Sequence, residues 1–263
     1  GQLPRREPVW LKRYRRMFGA IDRVLCEGPH MARTVVELGC PEEKVKVHAL
    51  GIELDTFRFE PRRWQPGQTL QVLIAASFRE KKGIPYALKA LGRIKADVLL
   101  EITIVGDATA QEHSRREKQK ILEVIDSEGL APHVTLAGFR THAEMVESAY
   151  EHHIYMAPSV TAADGDSEGG APVALIEMAA SGMPVVSSRH CDIPGVIIDG
   201  KTGFLAEERD VDGLEQCLRQ LIDHPENWDK MTTAGRKHVE EHFEARTQGR
   251  RLAEHYREVI NQP

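Results

Sequence analysis

Short, unbroken runs of β-branched and other apolar residues alternate with stretches of helical period along almost the whole chain. This alternation restricts the fold more than any other feature of the sequence. The apolar runs predict strands over 22–26, 45–49, 71–76, 101–105, 133–137, 153–157, 184–188 and 202–205. Most are continuous rather than alternating, as expected of strands covered on both faces. The stretches between them predict helices over 29–38, 84–95, 111–128, 141–151, 172–181 and 211–223, with 227–241 and 245–260 closing the chain. One helix start is explicit: Thr141-His142-Ala143-Glu144 has capping-box form and is followed by apolar Met145, Val146, Ala149 and Tyr150. Strand–helix alternation builds right-handed βαβ units, so the expected fold class is α/β, a doubly wound parallel sheet. Ligands of such sheets bind outside the carboxyl ends of the strands.

Composition narrows the function. The 263 residues carry 35 Lys+Arg against 40 Asp+Glu, a net charge of −5, with 41% hydrophobic and 29% charged residues. That is an ordinary soluble globular composition. Its mild acidity argues against nucleic acid as the partner, which calls for a basic footprint. No apolar run is long enough to cross a membrane as a helix. Cys26, Cys40, Cys191 and Cys217 are scattered, so reduced thiols in the cytoplasm are expected. The first residues, Gly1-Gln2-Leu3-Pro4, contain neither an initiating Met nor an apolar signal region, and the chain reads as a piece of something longer.

Two segments stand apart. Residues 5–18 hold six Lys/Arg and one acid, with Trp10, Leu11, Tyr14, Met17 and Phe18 at helical spacing. A membrane-surface helix and a basic-faced helix docked on the fold both fit, and the shortness of the stretch favours docking. Residues 58–70, with Pro61 and Pro66-Gly67, lack periodicity and read as an interdomain linker. Among the histidines, His238 and His242 lie four apart without a third ligand, and His152-His153 sits at a helix–strand boundary; both pairs read as solvated.

The chemistry concentrates after the strand at 153–157. There Asp164-Gly165-Asp166-Ser167-Glu168-Gly169-Gly170-Ala171-Pro172-Val173 leads into a helix that carries Glu177. Glycines before a helix start let backbone amides approach an anion, and the helix dipole favours it. Glu177, about one and a half turns into the helix, can accept hydrogen bonds from a pair of sugar hydroxyls. A calcium loop is excluded, since its twelfth position is Leu175 where a bidentate Glu is required. An Asp164/Asp166 metal site and a plain acidic surface turn are the other readings. A second cluster, Ser77-Phe78-Arg79-Glu80-Lys81-Lys82-Gly83, follows strand 71–76 and can neutralise a diphosphate. A third, Val105-Gly106-Asp107, ends strand 101–105 with a glycine turn.

In this order the clusters resemble the nucleotide-sugar-binding half of GT-B-fold glycosyltransferases of the family 4 type (glycosyl transferases group 1). The resemblance runs from about Val24 to the end. It is carried by Val47-His48-Ala49-Leu50-Gly51-Ile52-Glu53 with Phe57, Lys82-Gly83, Val105-Gly106-Asp107, Val134-Thr135-Leu136-Ala137-Gly138 and Ala157-Pro158-Ser159. The strongest block is Glu168-Gly169 through Pro172 to Glu177-Met178-Ala179-Ala180-Ser181-Gly182-Met183-Pro184, and Asp199-Gly200-Lys201-Thr202-Gly203 completes the series. Enzymes of bacterial exopolysaccharide assembly, of the colanic-acid type, are closest in flavour.

The resemblance implies a Rossmann-like GT-B C-terminal domain over 71–263, preceded by a tail of the acceptor domain (1–60) and a linker (61–70). It implies a retaining, metal-independent hexosyltransferase using a nucleotide-diphosphate sugar as donor substrate, without cofactor. The implied acceptor is a glycan or a lipid-linked molecule, met in the cytoplasm at the inner face of the membrane, with any membrane contact made through a separate or missing domain. Lys82 would contact the diphosphate and Glu168 the transferred sugar; these are the implied catalytic residues. Glu177 would bind the ribose, Arg140 would lie near the base, and Gly106 and Asp107 would border the donor. The backbone at Gly169, Gly170, Ala171, Pro172 and Val173 would hold sugar and β-phosphate. Three features depart from the family pattern. Eight residues stand between Glu168 and Glu177, one more than in the family. Ser77 occupies the place of a phosphate-binding arginine, for which Arg79 is the candidate replacement. The acceptor domain is represented only by the βαβ at about 20–53, so its catalytic histidine has no counterpart here. A nucleotide-sugar-binding module inactive by itself, and a nucleotide-sugar epimerase on the same fold, are the alternative readings.

Overall fold

The computed structural model describes residues 7–261. Strand β3 (Leu70–Ala75) shows why its sheet is covered on both sides. Leu70, Val72 and Ile74 enter one core and Leu73 the other, none more than 1% exposed. A side chain of this kind gains roughly 1.5–3 kcal/mol on full burial, so neither face of the strand can be left to water.

All six strands of the sheet are parallel, in the order β5-β4-β3-β6-β7-β8: β4 is Leu100–Val105, β5 Val134–Gly138, β6 Ile154–Ala157, β7 Val185–Ser188 and β8 Phe204–Ala206. One face carries α3 (Ile84–Ile94), α4 (Glu112–Ser127) and α8 (Val211–Asp223), whose Ile84, Leu88, Leu91, Ile121 and Leu218 join the first core. The other carries α5 (His142–Ala149), α6 (Val173–Ser181) and the four-residue α7 (Ile193–Val196). Helix α9 (Trp228–His242) bridges the two, with Trp228 and Met231 in the first core and Val239 in the second. This is the expected doubly wound sheet. Every strand, and every helix inferred from residue 29 onward, forms within two residues of its expected limits; the basic helix expected over 5–18 is described over 8–20, and α7, too short to show periodicity, is the α-helix among the described residues that was not anticipated.

The N-terminal part is α1 (Pro8–Ala20), β1 (Val24–Cys26), α2 (Pro29–Glu37) and β2 (Val45–Val47), with β1 and β2 paired in parallel. Helix α1 is docked: Phe18 is buried, and Leu11 and Tyr14 pack with it against Leu38 and Cys40. Arg5 and Arg6 of the expected basic helix lie outside the described residues. The last helix, α10 (Ala245–Ile260), returns to this part. The Ile52 amide donates to Phe243 O (2.8 Å), the Ala245 amide donates to Ile52 O (3.0 Å), and the His48 and His255 rings stand 5.6 Å apart.

Residues 58–69 form neither helix nor strand, yet they are pinned to the sheet domain. Arg62 is 5% exposed and donates to the carbonyls of Ala149 (3.1 Å), His152 (3.1 Å) and Ser181 (3.2 Å), with its guanidinium over the Tyr150 ring. Ala149 and Ser181 are the last residues of α5 and α6, so one cation satisfies the carbonyl ends of two helices. Trp64 stacks on Trp228. Of the four histidines expected in solvent, His242 is exposed and the other three are corrected. His152 is buried between Ser148 O (2.6 Å) and Thr103 Oγ1 (2.8 Å), and burial holds its pKa below the ordinary value. His153 Nδ1 accepts the Gln71 amide (3.0 Å), and His238 Nε2 donates to Gly195 O (2.8 Å). Polar residues at element junctions are turned inward here to satisfy backbone groups.

Replacing Arg62 with Leu leaves buried helix-end carbonyls unpaired, at about 1–3 kcal/mol each. Urea denaturation of Arg62→Leu is expected to show a loss of at least about 3 kcal/mol. A loss under about 1 kcal/mol contradicts this role.

Candidate active site

The chain builds the sheet outward from β3 through β4 to β5, then returns to place β6 on the other side of β3. The connections leaving β3 and β6 therefore diverge, and a crevice opens at their carboxyl ends. The clusters at 77–83 and 158–170 follow these two strands.

They meet there. Lys82 Nζ lies 2.8 Å from Glu168 Oε1 and 3.0 Å from Oε2. Lys81 Nζ donates to Ser167 O (2.9 Å) and lies 3.6 Å from Asp166 Oδ1, and Arg79 pairs with Asp166 Oδ2 at 2.5 Å. Ser159 Oγ donates to Glu168 Oε1 (2.9 Å). The turn that carries Lys82 fits only because of Gly83. Its φ is 64°, and a Cβ there would stand 1.9 Å from Pro158 O, at the end of β6. Gly106 repeats the device, since a Cβ on it would stand 2.0 Å from Ala76 O, after β3.

The loop turns at Gly169 (φ 80°), and Pro172 caps α6 through its backbone, one position outside the helix it was expected to open. No side chain caps α6, and Val173 in its first turn is 40% exposed. Such an end presents backbone N–H groups and the positive end of a helix dipole. Glu177 is 8% exposed and holds His142 Nε2 at 2.8 Å from Oε1; His142 is the first residue of α5. Tyr155 of β6 is buried, and its hydroxyl donates to Ala75 O (3.0 Å). Burial first, then the charges of Glu177 and Glu168, push its pKa up.

The remaining sequence-derived residues divide. Ser77 is exposed, its carbonyl accepting the Arg79 amide. Asp107 is drawn away to Lys118 of α4 (2.7 Å), which, with the Ala108 amide, holds its carboxyl below the usual range. Arg140 lies exposed between β5 and α5. The N-terminal part borders the same turn. A Cβ on Gly170 would meet Glu27 Oε2 at 2.1 Å, and Asp192 accepts the His30 amide (2.6 Å) and the Met31 amide (3.2 Å) at the start of α2. Burial and Asp192 raise the Glu27 pKa. A cavity of about 570 Å³ opens beside Ala171, with Glu27, Asp192, His48 and Arg251 in its wall. Sequence reasoning missed His142, Tyr155, Ser159 and the His190–Glu208 pair behind Glu168. His142 carried a signal as the second residue of the capping box, and Ser159 as the end of the Ala157-Pro158-Ser159 motif.

The family model for glycosyl transferases group 1 matches residues 69–224, more than half of the chain. The chain belongs to this family. Among its relatives, the amylovoran biosynthesis glycosyltransferase AmsK of Erwinia amylovora is 35% identical over 244 residues, covering 92% of this chain and 58% of AmsK. WcaL of Salmonella typhimurium, named for colanic acid biosynthesis, is 30% identical over 243 residues, covering 91% of this chain and 57% of WcaL. The chain thus spans somewhat over half the length of these two relatives. Of solved structures, Anabaena Alr3699/HepE in complex with UDP and glucose superposes with a TM-score of 0.81 at 16% identity, covering 96% of this chain and 68% of HepE. The fold of this group 1 chain is therefore that of the GT-B glycosyltransferases.

Within the site, Gly83→Ala forces a side chain into a left-handed turn and against Pro158 O. The strain of such a residue is about 1–3 kcal/mol before the clash is counted. Chemical denaturation is expected to show at least that loss, and an unchanged midpoint contradicts the close packing of the two loops.

Proposed function

We propose that this chain is the donor-binding part of a retaining, metal-independent glycosyltransferase that moves a hexose from a nucleotide-diphosphate sugar to a glycan or lipid-linked acceptor in exopolysaccharide assembly. The observation that carries the reading is the pairing of Lys82 with Glu168 at 2.8 Å across the crevice between β3 and β6, shortly before the start of α6, which no side chain caps. A diphosphate brought to Lys82 exchanges a carboxylate partner for phosphate oxygens and frees Glu168 toward the attached sugar. Glu177, held in α6 and reached by His142, accepts the ribose hydroxyls.

In the transfer, the bond from C1 of the hexose to the diphosphate oxygen breaks, an acceptor hydroxyl oxygen bonds to the same face of C1, and the hydroxyl proton passes to the departing diphosphate. The departing diphosphate gains negative charge. Lys82, Arg79 and the first amides of α6 supply the positive potential that stabilises it, which is the support for a metal-independent reading. The names of AmsK and WcaL support the exopolysaccharide setting, and the UDP and glucose of the HepE structure make uridine nucleotides the first to test.

Removing one preorganised group of this kind raises the barrier by about 2.7–4 kcal/mol. Lys82→Ala in the full-length enzyme is therefore expected to lower transfer roughly 10²–10³-fold. Activity within a few-fold of wild type removes Lys82 from this role. Because the chain spans only 58% of AmsK, a second reading has this stretch binding the donor without transferring it. Calorimetry with UDP, GDP and ADP sugars beside a transfer assay on the same sample separates the two, and product analysis without acceptor exposes an epimerase.

A further inference from the structure

Behind Glu168 lies a pair, His190 buried and Glu208 half-buried, that the donor-site reading does not use. His190, just past β7, is 1% exposed. Its Nδ1 is 2.6 Å from Glu208 Oε1, and its Nε2 is 3.1 Å from the backbone nitrogen of Glu168. These partners assign the proton. A carboxylate can only accept and a backbone N–H can only donate, so Nδ1 carries the hydrogen and Nε2 offers its lone pair to Glu168. Glu208 is anchored in turn: Oε2 accepts the Thr161 amide (2.7 Å), and Arg209 lies 3.5 Å away. Burial opposes the charge of Glu208, yet the Thr161 amide and His190 outweigh it and hold the carboxyl below its ordinary range.

A chain of bonds thus runs from Thr161, after β6, through Glu208 and His190 to the amide of Glu168, closing the loop 161–168 on itself. Ser188 Oγ donates to Ser159 O, and Ser159 Oγ donates to the Glu168 carboxylate. Beside His190 sits Cys191, with φ 47°, in the left-handed region that side chains avoid, and its Sγ lies 3.1 Å from His190 Nε2. Strain of this kind persists only where surrounding contacts over-determine the backbone.

We infer that His190, oriented by Glu208, is a positioning residue that fixes the backbone of Glu168 so that its carboxylate faces the hexose of the donor. The inference rests on the proposed donor site, but it makes a separable claim. Nucleotide and diphosphate are held by Lys82, α6 and Glu177, with none of which His190 shares a hydrogen bond, whereas the hexose depends on Glu168. Loss of the pair therefore removes the affinity that the sugar adds and leaves the affinity for the bare nucleotide in place.

The test is calorimetry of this chain with UDP and with UDP-glucose, and with GDP and GDP-mannose as the second pair, on wild type, His190→Leu, His190→Gln and Glu208→Leu. In His190→Leu the ratio of sugar-nucleotide to nucleotide affinity is expected to fall about tenfold, the worth of one hydrogen bond of ordinary strength, while nucleotide affinity stays within about twofold. His190→Gln keeps an acceptor for the Glu168 amide and restores most of the ratio. Glu208→Leu lowers it in the same direction and serves if His190→Leu does not fold. An unchanged ratio in the folded variants overturns the inference. Wild type that binds none of the four compounds refutes the donor site instead. Imidazole ¹⁵N spectra and exchange of the Glu168 amide then judge the pair without ligand. A protonated Nε2, or a Glu168 amide exchanging as fast in wild type as in Glu208→Leu, overturns the inference.

Discussion

The reversal of strand order at β3 is the constraint on which the rest of the molecule depends. Once β4 and β5 have been added on one side, β6 must take the other, and the loops leaving β3 and β6 part above the sheet. The opening can be narrow because both loops are built for close approach. Gly83 lies against Pro158 O, and Gly106 lies against Ala76 O. Lys82 and Glu168, more than eighty residues apart in sequence, are consequently within 3 Å of each other.

Two kinds of interaction then keep the crevice in shape. Apolar burial sets the layers, with successive residues of β3 feeding separate cores. Hydrogen bonds to otherwise unsatisfied backbone groups fix the details, and at this level single residues matter. Arg62 closes the carbonyl ends of α5 and α6, so the two helices that bring His142 and Glu177 together are tied at their far ends by one guanidinium. Asp192 serves the amides at the start of α2 and thereby seats the N-terminal part beside the Gly169–Gly170 turn. Buried polar groups of this kind specify position because leaving any one unpaired is costly.

The division between what the sequence revealed and what it concealed follows the range of the interactions. The strand at 71–76 was legible because a strand buried on both faces is apolar through its middle, a local property. The capping box at Thr141–Glu144 forms as read, the Glu144 amide donating to Thr141 Oγ1 and the Thr141 amide to Glu144 Oε2. Lys82 and Glu168 were legible because each follows a strand and precedes a helix. Arg62 was not, since an arginine between Pro61 and Arg63 carries no mark of the carbonyls it will meet. His152 and His190 were concealed for the same reason: their partners Thr103 and Glu208 are fixed by sheet register and loop closure, not by spacing. The partner of Asp107 was concealed likewise, since nothing around a strand-end aspartate marks the ion pair it makes with Lys118 one helix away.

The account stands on where a nucleotide sugar binds. A crystal structure of the chain with the nucleotide sugar that most raises its melting temperature tests this directly. The account predicts the diphosphate between Lys82 Nζ and the first amides of α6, the ribose hydroxyls on Glu177 and the hexose against Glu168, with the Lys82–Glu168 pair opened from its 2.8 Å. A nucleotide seated elsewhere, such as in the cavity bordered by His48 and Arg251, with that pair still closed, would contradict it.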